Sequence, residues 1–215
     1  LDVAGADGVS LGVGNGTFLP LIPCAPTGDP LQAFEGFRVA ADINEDGHLD
    51  VLSTKQSSNL IELRLGDGAG GLLVPTPASL SSQLSAQSRL TLATGDFNED
   101  GHVDLVVGSL FYDSNGPRLM ELWLGRGAGL FEAPTLLPGR AAVTSLRVDD
   151  LDRDGHQDII FLDFYDYRLG ILTGNGDGTF DGERNLVDRN EYAGLNAMAW
   201  GDLNGDGLAD VVTNA

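Results

Sequence analysis

The sequence predicts an all-β protein: a β-propeller of four-stranded antiparallel blades, with about four blades present. Three observations predict it. An acidic nine-residue segment occurs four times, as DINEDGHLD (42–50), DFNEDGHVD (96–104), DLDRDGHQD (150–158) and DLNGDGLAD (202–210), at spacings of 54, 54 and 52 residues. Each copy is flanked by short runs rich in Val, Ile, Leu and Phe, bounded by Gly and Asn, which is how strands punctuated by turns read. No segment carries convincing helical periodicity. A four-stranded unit of about 50 residues in tandem is the pattern of a propeller blade, whereas a β-solenoid uses shorter rungs.

Taken in order along one unit, strand A runs into the acidic segment: FRVAAD, TLATGD, TSLRVD and NAMAWGD. Strand B leaves it as an apolar, β-branched run: VLST, LVVGSL, IIFLDF and VVTN. Strand C follows as IELRLG, MELWLG and LGILTG; the first two alternate in polarity, as a half-buried strand does. A glycine turn comes next (GDGAGG, GRGAGLF, GNGDGTF), and strand D follows it. The chain begins in mid-unit, with LDVAGA as a B strand and VSLGVGNGTF as a C strand and its turn. This divides it into a partial blade 1–35, repeats 36–89, 90–143 and 144–195, and a partial blade 196–215. With no initiator Met and no leader pattern, it reads as a processed or excised piece.

Composition narrows the function classes. The net charge is −20, from 32 acidic and 12 basic residues. That disfavours nucleic acid and anionic membrane surfaces and favours cations. No apolar run is long enough to span a membrane. Cys24 is the sole cysteine, has no intrachain disulfide partner, and reads as a small core thiol.

The acidic segment reads as a calcium loop. Positions 1, 3, 5 and 9 are Asp, Asn or Asp, Asp and Asp in every copy, and position 6 is always Gly. Several carboxylate oxygens converging within nine residues need a hard cation, and a donor set made only of oxygen selects Ca2+ over zinc. The glycine lets the backbone turn around a central ion, and position 7 would give its carbonyl. An EF-hand needs a bidentate Glu at position 12 and flanking helices. Here position 12 is Ser53, Val107, Phe161 and Thr213, each inside an apolar strand.

The stretches GDFNEDGHVDLVVGS and GDLNGDGLADVVTNA, followed by LGRGAGLF or GNGDGTF, resemble the FG-GAP/VCBS repeats of integrin α-subunit propellers and many bacterial surface proteins. The resemblance covers essentially the whole chain. It implies one Ca2+ in the A–B hairpin of each blade, about four ions in all. The implied ligands are Asp42, Asn44, Asp46 and Asp50; Asp96, Asn98, Asp100 and Asp104; Asp150, Asp152, Asp154 and Asp158; and Asp202, Asn204, Asp206 and Asp210. His48, His102, His156 and Leu208 stand at position 7 and would give only their carbonyls. All three histidines of the chain share that one position, so they read as repeat-borne surface residues and not as catalytic groups. The chain departs from the family in length, since family propellers usually have seven blades.

In an antiparallel blade the A–B and C–D turns share one face, and the B–C and D–A turns share the other. The calcium loops and glycine turns therefore lie together. The opposite face receives the irregular segments 110–118, 163–168, 75–89 and 189–194. Tyr112, Tyr165, Tyr167, Arg168 and Tyr192 gather there as a candidate ligand surface, because aromatic rings with Arg are favoured at interfaces and suit sugars. The expected function is a calcium-stabilised binding or adhesion module for a protein or glycan ligand, placed outside the cell, at its surface or in the periplasm. The alternatives are a structural scaffold segment of a larger surface protein, or a polysaccharide-acting enzyme domain. Nothing supports the enzyme: no Ser/His/Asp or Cys/His set stands apart from the repeats, and acids such as Asp163 and Asp166 read as solvated turn residues. Asn15-Gly16-Thr17 matches a glycosylation pattern, but the repeat itself places GNG-TF there.

Strand order gives B-C-D, then A-B-C-D three times, then A-B. Segments 1–6 and 209–215 thus compete for one place beside the last A strand. Phe37, Arg38 and Trp200 are large for the axis of a closed four-bladed ring. The expected assembly is an arc of a larger propeller, with further blades elsewhere or supplied by a partner chain.

Overall fold

The computed structural model describes residues 3–4, 8–10, 22–23, 37–54, 59–73, 79–82, 84, 89–110, 120–139, 142–187, 198–206 and 210–213. Within these residues there are strands and turns and no helix. The strands form five separate antiparallel sheets. The first holds β1 (Val3–Ala4), β2 (Gly8–Ser10) and β3 (Ile22–Pro23). The second holds β4 (Arg38–Ala41), β5 (Asp50–Thr54), β6 (Leu60–Arg64) and β7 (Ser79–Ser81). The third holds β8 (Arg89–Gly95), β9 (Asp104–Leu110), β10 (Met120–Trp123) and β11 (Thr135–Leu136). The fourth holds β12 (Val143–Asp149), β13 (Asp158–Asp163), β14 (Arg168–Leu172) and β15 (Arg184–Val187). The fifth pairs β16 (Met198–Gly201) with β17 (Asp210–Thr213). Each sheet runs in chain order, as the A-B-C-D reading requires. The sheets are whole and partial β-propeller blades.

Adjacent blades meet through their first strands. β8 packs against β4 on one side and β12 on the other. The B strands lie between neighbours, which explains their unbroken apolar runs. Counting from the start of each acidic segment, the tenth residue faces the preceding blade and the eleventh faces the following one. Leu105 packs with Leu52, Ile61 and Leu63, while Val106 packs with Val143, Leu146 and Ile159. One blade further on, Ile159 and Phe161 face back, and Ile160 faces forward with Leu162, Trp200 and Val211. A strand alternates its faces, so both sets of positions must be apolar only where both faces are covered. In the fifth sheet Val211 packs backward in the same way. Val212, at the eleventh place, is 49% exposed, whereas its counterparts Leu52, Val106 and Ile160 are buried.

One expectation changes. The sequence places 75–89 in a D–A loop, yet β7 lies inside it and pairs with β6 through Leu60↔Ser81 and Ile61↔Leu80. The chain leaving the glycine turn first makes a single bridge, Gly66↔Leu72, before the D strand proper begins. A D strand has a neighbour on one edge only, so small polar residues are tolerated there and the apolar signal is lost. The place beside β16 is taken by β17, and β1 pairs with β2. The described strands therefore do not seal the ring through residues 1–6.

Candidate metal centre

Each acidic segment is wound by its own side chains. The position 1 carboxylate takes two backbone amides: in the second loop Asp100 N–H donates to Asp96 Oδ1 at 3.1 Å and Gly101 N–H to Asp96 Oδ2 at 3.0 Å. In the first loop, Asp46 and Gly47 do the same to Asp42 at 3.0 and 2.9 Å. The position 5 carboxylate receives the position 7 amide: His48 to Asp46 at 2.9 Å, His102 to Asp100 at 2.9 Å and His156 to Asp154 at 2.8 Å. The described part of the fourth loop follows suit, with Asp206 N–H on Asp202 Oδ1 at 3.2 Å. Gly47, Gly101 and Gly155 have φ of 87°, 86° and 96°, a left-handed conformation that glycine adopts without Cβ strain. A Cβ at any of the three would meet nothing within 4 Å, so conformation, not space, selects glycine there.

The position 9 carboxylate is set apart. Asp50, Asp104 and Asp158 are wholly buried. A buried carboxylate must be satisfied, and each of these ties two turns together. Asp104 Oδ2 accepts Phe97 N–H at 2.8 Å, from its own loop, and Oδ1 accepts Gly125 N–H at 2.7 Å, from the C–D turn. Asp50 does the same with Ile43 at 2.9 Å and Gly66 at 2.8 Å, and Asp158 with Leu151 at 2.8 Å and Gly174 at 3.0 Å. Asp210 accepts Leu203 N–H at 2.8 Å. A Cβ on Gly66, Gly125 or Gly174 would stand 2.3, 2.4 or 2.2 Å from the backbone oxygen of Leu49, Val103 or Gln157. These glycines are steric requirements of the joint. Burial lifts the Asp104 and Asp158 carboxyls above the ordinary range, their backbone amide partners pull them down, and the neighbouring loop carboxylates add to the rise.

The residues fit a hard cation best in the third loop. Ligand atoms of Asp150, Asp152 and Asp158 all lie within 4.8 Å of one another. Asp150 Oδ1 is buried and has no hydrogen-bond partner. In loops one, two and four, position 3 is Asn, and its Nδ2–H donates to the position 5 carboxylate at 2.9, 2.8 and 2.9 Å. Asp152 has no such donor to offer. Three carboxylates therefore converge there, and one of the three residues, Asp150, has an orphaned oxygen.

The histidine rings are less idle than the sequence implies. His102 Nδ1 lies 2.5 Å from Glu45 Oε1, and His156 Nδ1 lies 2.5 Å from Glu99 Oε1. Each pair joins position 7 of one loop to position 4 of the loop before it. The acid raises both histidines above their ordinary value, mainly through that hydrogen bond. Gln157 adds a second link between loops, its Oε1 accepting Asp96 N–H at 2.7 Å. Sequence reading missed Glu45 and Glu99. The available signal was an offset: Glu stands at position 4 wherever the next loop carries His, and Arg153 precedes the loop carrying Leu208.

At the other ends of β13 and β14, residues 164–167 form a tight turn. Tyr165 and Tyr167 flank Phe164, with ring centroids 5.5 and 6.3 Å away. Arg168 is turned inward: Nε donates to Asp163 Oδ2 at 3.1 Å, Nη1 donates to Asn185 Oδ1 at 2.7 Å, and the guanidinium also contacts Glu183. Its side chain is 15% exposed. Asp163 is not the solvated turn residue expected; it is wholly buried and also accepts the amides of Ala142, Tyr165 and Asp166. Tyr112, Tyr192, Leu208, Asn15 and Cys24 lie outside the described residues.

Tandem four-stranded blades, each with an acidic A–B loop clasped to a glycine C–D turn, define a repeat protein of the propeller class. The model of the FG-GAP-like repeat matches residues 42–107, 96–161 and 150–213, and the chain belongs to that family. Each match runs from one acidic loop through the next. No curated protein sequence matches the chain. Among solved structures, the Photorhabdus luminescens Tc holotoxin pore is similar over 98% of this chain and 10% of its own, at 18% identity and a TM-score of 0.56. The chain thus spans about a tenth of that protein, and the likeness is one of fold. An Agrocybe aegerita lectin that recognises non-reducing terminal N-acetylglucosamine aligns over 97% of this chain and 69% of its own, at 15% identity and a TM-score of 0.48. The V. cholerae biofilm matrix protein Bap1 aligns over 76% and 30%, at 20% identity and a TM-score of 0.35.

Proposed function

We propose that the acidic loops hold Ca2+ and that the blades form a calcium-stiffened, non-enzymatic binding module. The observation that carries this is the third loop, where Asp150, Asp152 and Asp158 bring ligand oxygens within 4.8 Å of one another and Asp150 Oδ1 is buried without a partner. Carboxylate oxygens with no thiolate or imidazole nitrogen favour a hard cation that accepts many oxygen ligands. Asp150, Asp152, Asp154 and Asp158 would hold the ion in that loop, with the equivalent residues in the others. The ion supplies positive charge that relieves the repulsion among them. The protein's own part is already made: position 1 and position 5 carboxylates wind the loop, and position 9 anchors it to the C–D turn.

The Phe164–Tyr165–Tyr167 cluster supports the opposite face as the one presented to a protein or glycan ligand. Arg168 supports the shape of that turn from behind. Extracellular calcium modules bind with dissociation constants on the order of 10⁻⁴–10⁻³ M, which suits an extracellular, cell-surface or periplasmic site. No helix among the described residues is long and apolar enough to cross a membrane. Titration calorimetry tests the metal, with saturable heat expected for Ca2+ and none after Asp150→Ala and its three counterparts are combined. A glycan array and a protein pull-down, each with and without EDTA, test the module. Calcium-dependent capture reduced by Tyr165→Ala and Tyr167→Ala supports the ligand face. Stabilisation by calcium with no ligand of either kind favours the scaffold.

A further inference from the structure

We propose that Glu45 and Glu99 are positioning residues for the metal loop of the following blade, so that successive calcium sites are coupled in one direction along the chain. The inference rests on the calcium reading above and goes beyond it, because neither residue is at a ligand position of its own loop.

Three contacts close a circuit between neighbouring loops. Glu45, at position 4 of the first loop, holds the His102 ring of the second at 2.5 Å. That ring lies on Gly127 of its own C–D turn, where a Cβ would stand 3.0 Å from His102 Cε1 and 3.1 Å from Glu45 Oε1. The same turn reaches back, with Gly129 N–H donating to Ile43 O in the first loop at 3.1 Å. The next pair of blades repeats the arrangement. Glu99 holds His156 at 2.5 Å, Gly176 lies beneath that ring, and Gly178 N–H donates to Phe97 O at 2.9 Å. What is held matters for the metal. The His102 amide donates to Asp100 Oδ1 at 2.9 Å, and the His156 amide to Asp154 Oδ1 at 2.8 Å. Fixing the ring therefore fixes the backbone that positions a carboxylate of the second or third site.

The backbone at position 4 is a second observation. Glu45 and Glu99 have φ of 63° and 56°, where a side chain costs energy that glycine avoids. The fourth loop has Gly205 there, at φ 80°. The loop conformation itself needs no side chain at this position, and the two glutamates use theirs on the neighbouring blade. Arg153 has the same backbone, at φ 63°, but it is a base, and the loop that follows carries Leu208 in place of histidine. The glutamate–histidine coupling thus runs from the first loop to the second and from the second to the third.

The test is site-resolved calcium titration by amide NMR of the full chain, following Gly47, Gly101 and Gly155. Glu45→Gln is expected to weaken the second site, read at Gly101, by about two- to fivefold, the range of exposed charged pairs, and to weaken the first site, read at Gly47, by less. Glu99→Gln is expected to act in the same way on Gly155. In a double-mutant cycle, Glu45→Gln should lose its effect on Gly101 once His102→Gln is present. Equal weakening at Gly47 and Gly101, or additivity in the cycle, would overturn the coupling and reduce Glu45 to a general negative charge. If calcium shifts none of these amides in the unsubstituted chain, the metal reading fails and this inference falls with it. If calcium shifts all three but Glu45→Gln leaves Gly101 unchanged, this inference alone fails.

Discussion

Two kinds of glycine occupy the face of the acidic loops, and they fail in different ways when replaced. Gly101 is needed for a left-handed φ in open space, whereas Gly125 is needed because a Cβ would strike Val103 O at 2.4 Å. Asn tolerates the left-handed region, so Gly101→Asn is expected to cost under about 1 kcal/mol. Gly125→Ala cannot be relieved by a side-chain rotation and is expected to cost about 1–3 kcal/mol, the range for overpacking. Urea denaturation of the two variants checks the order. Two of the position 9 carboxylates carry a pH signature. Asp104 and Asp158 have folded pKa values raised above the ordinary 3.8 by burial. For a raised acid, the contribution to calcium-free stability is complete below the unfolded value and is lost as pH rises through the folded value. A bound cation reverses the sign by holding the ionised form. The gain in melting temperature on adding calcium is therefore expected to vanish near about pH 3 and to grow above about pH 5, measured by scanning calorimetry across pH. A gain that is flat with pH would contradict it. Ligand charge also ranks the sites, since affinity follows the number of charged ligands. Asp152→Asn, which makes the third loop like the first two, should weaken calcium at Gly155 and leave Gly47 unchanged in the NMR titration.

At the scale of the element, the B strands hold the blades together. Phe161 is wholly buried against Val143, Leu146 and Phe97, and its ring leaves no room for a Cβ on Gly170, which would stand 2.3 Å from Cζ. Phe161→Ala is expected to lower stability by about 3–5 kcal/mol, measured by chemical denaturation. Elements of this kind were legible in the sequence, because a strand covered on both faces must be apolar at successive positions. LVV and IIFL say so without a structure. The acidic loops were legible because four copies at near-equal spacing fix which positions matter. Strand β7 was not, because Ser79 and Ser81 on an outer strand carry no apolar pattern. The Glu45–His102 and Glu99–His156 links were hidden for another reason. Each joins residues 57 apart, in different repeats, and a unit aligned on itself shows each residue only its own loop. The double duty of Asp50, Asp104 and Asp158 was half visible. Their place in the motif marked them as ligands, while their hold on the C–D turn depends on a hairpin packing that spacing does not reveal.

Across the whole molecule, the face with the acidic loops carries direct ties between neighbouring blades. Loop, glycine turn and the next loop are joined by Gly129 N–H on Ile43 O, Gly178 N–H on Phe97 O, and the edge-on contact of Phe180 with Phe97, ring centroids 5.5 Å apart. A cation in each loop would therefore stiffen the joints between blades as well as the hairpin that holds it. In repeat architectures stability is the sum of unit and interface terms, so losing the ions should weaken every joint at once. The most direct measurement of this account is the melting temperature of the full chain in millimolar calcium and again after EDTA. With free calcium at about 100 times its dissociation constant, each occupied site is expected to add about 2.7 kcal/mol, so EDTA should lower the melting temperature and readdition of calcium should restore it. A melting temperature that EDTA does not change would contradict the claim that these loops are metal sites.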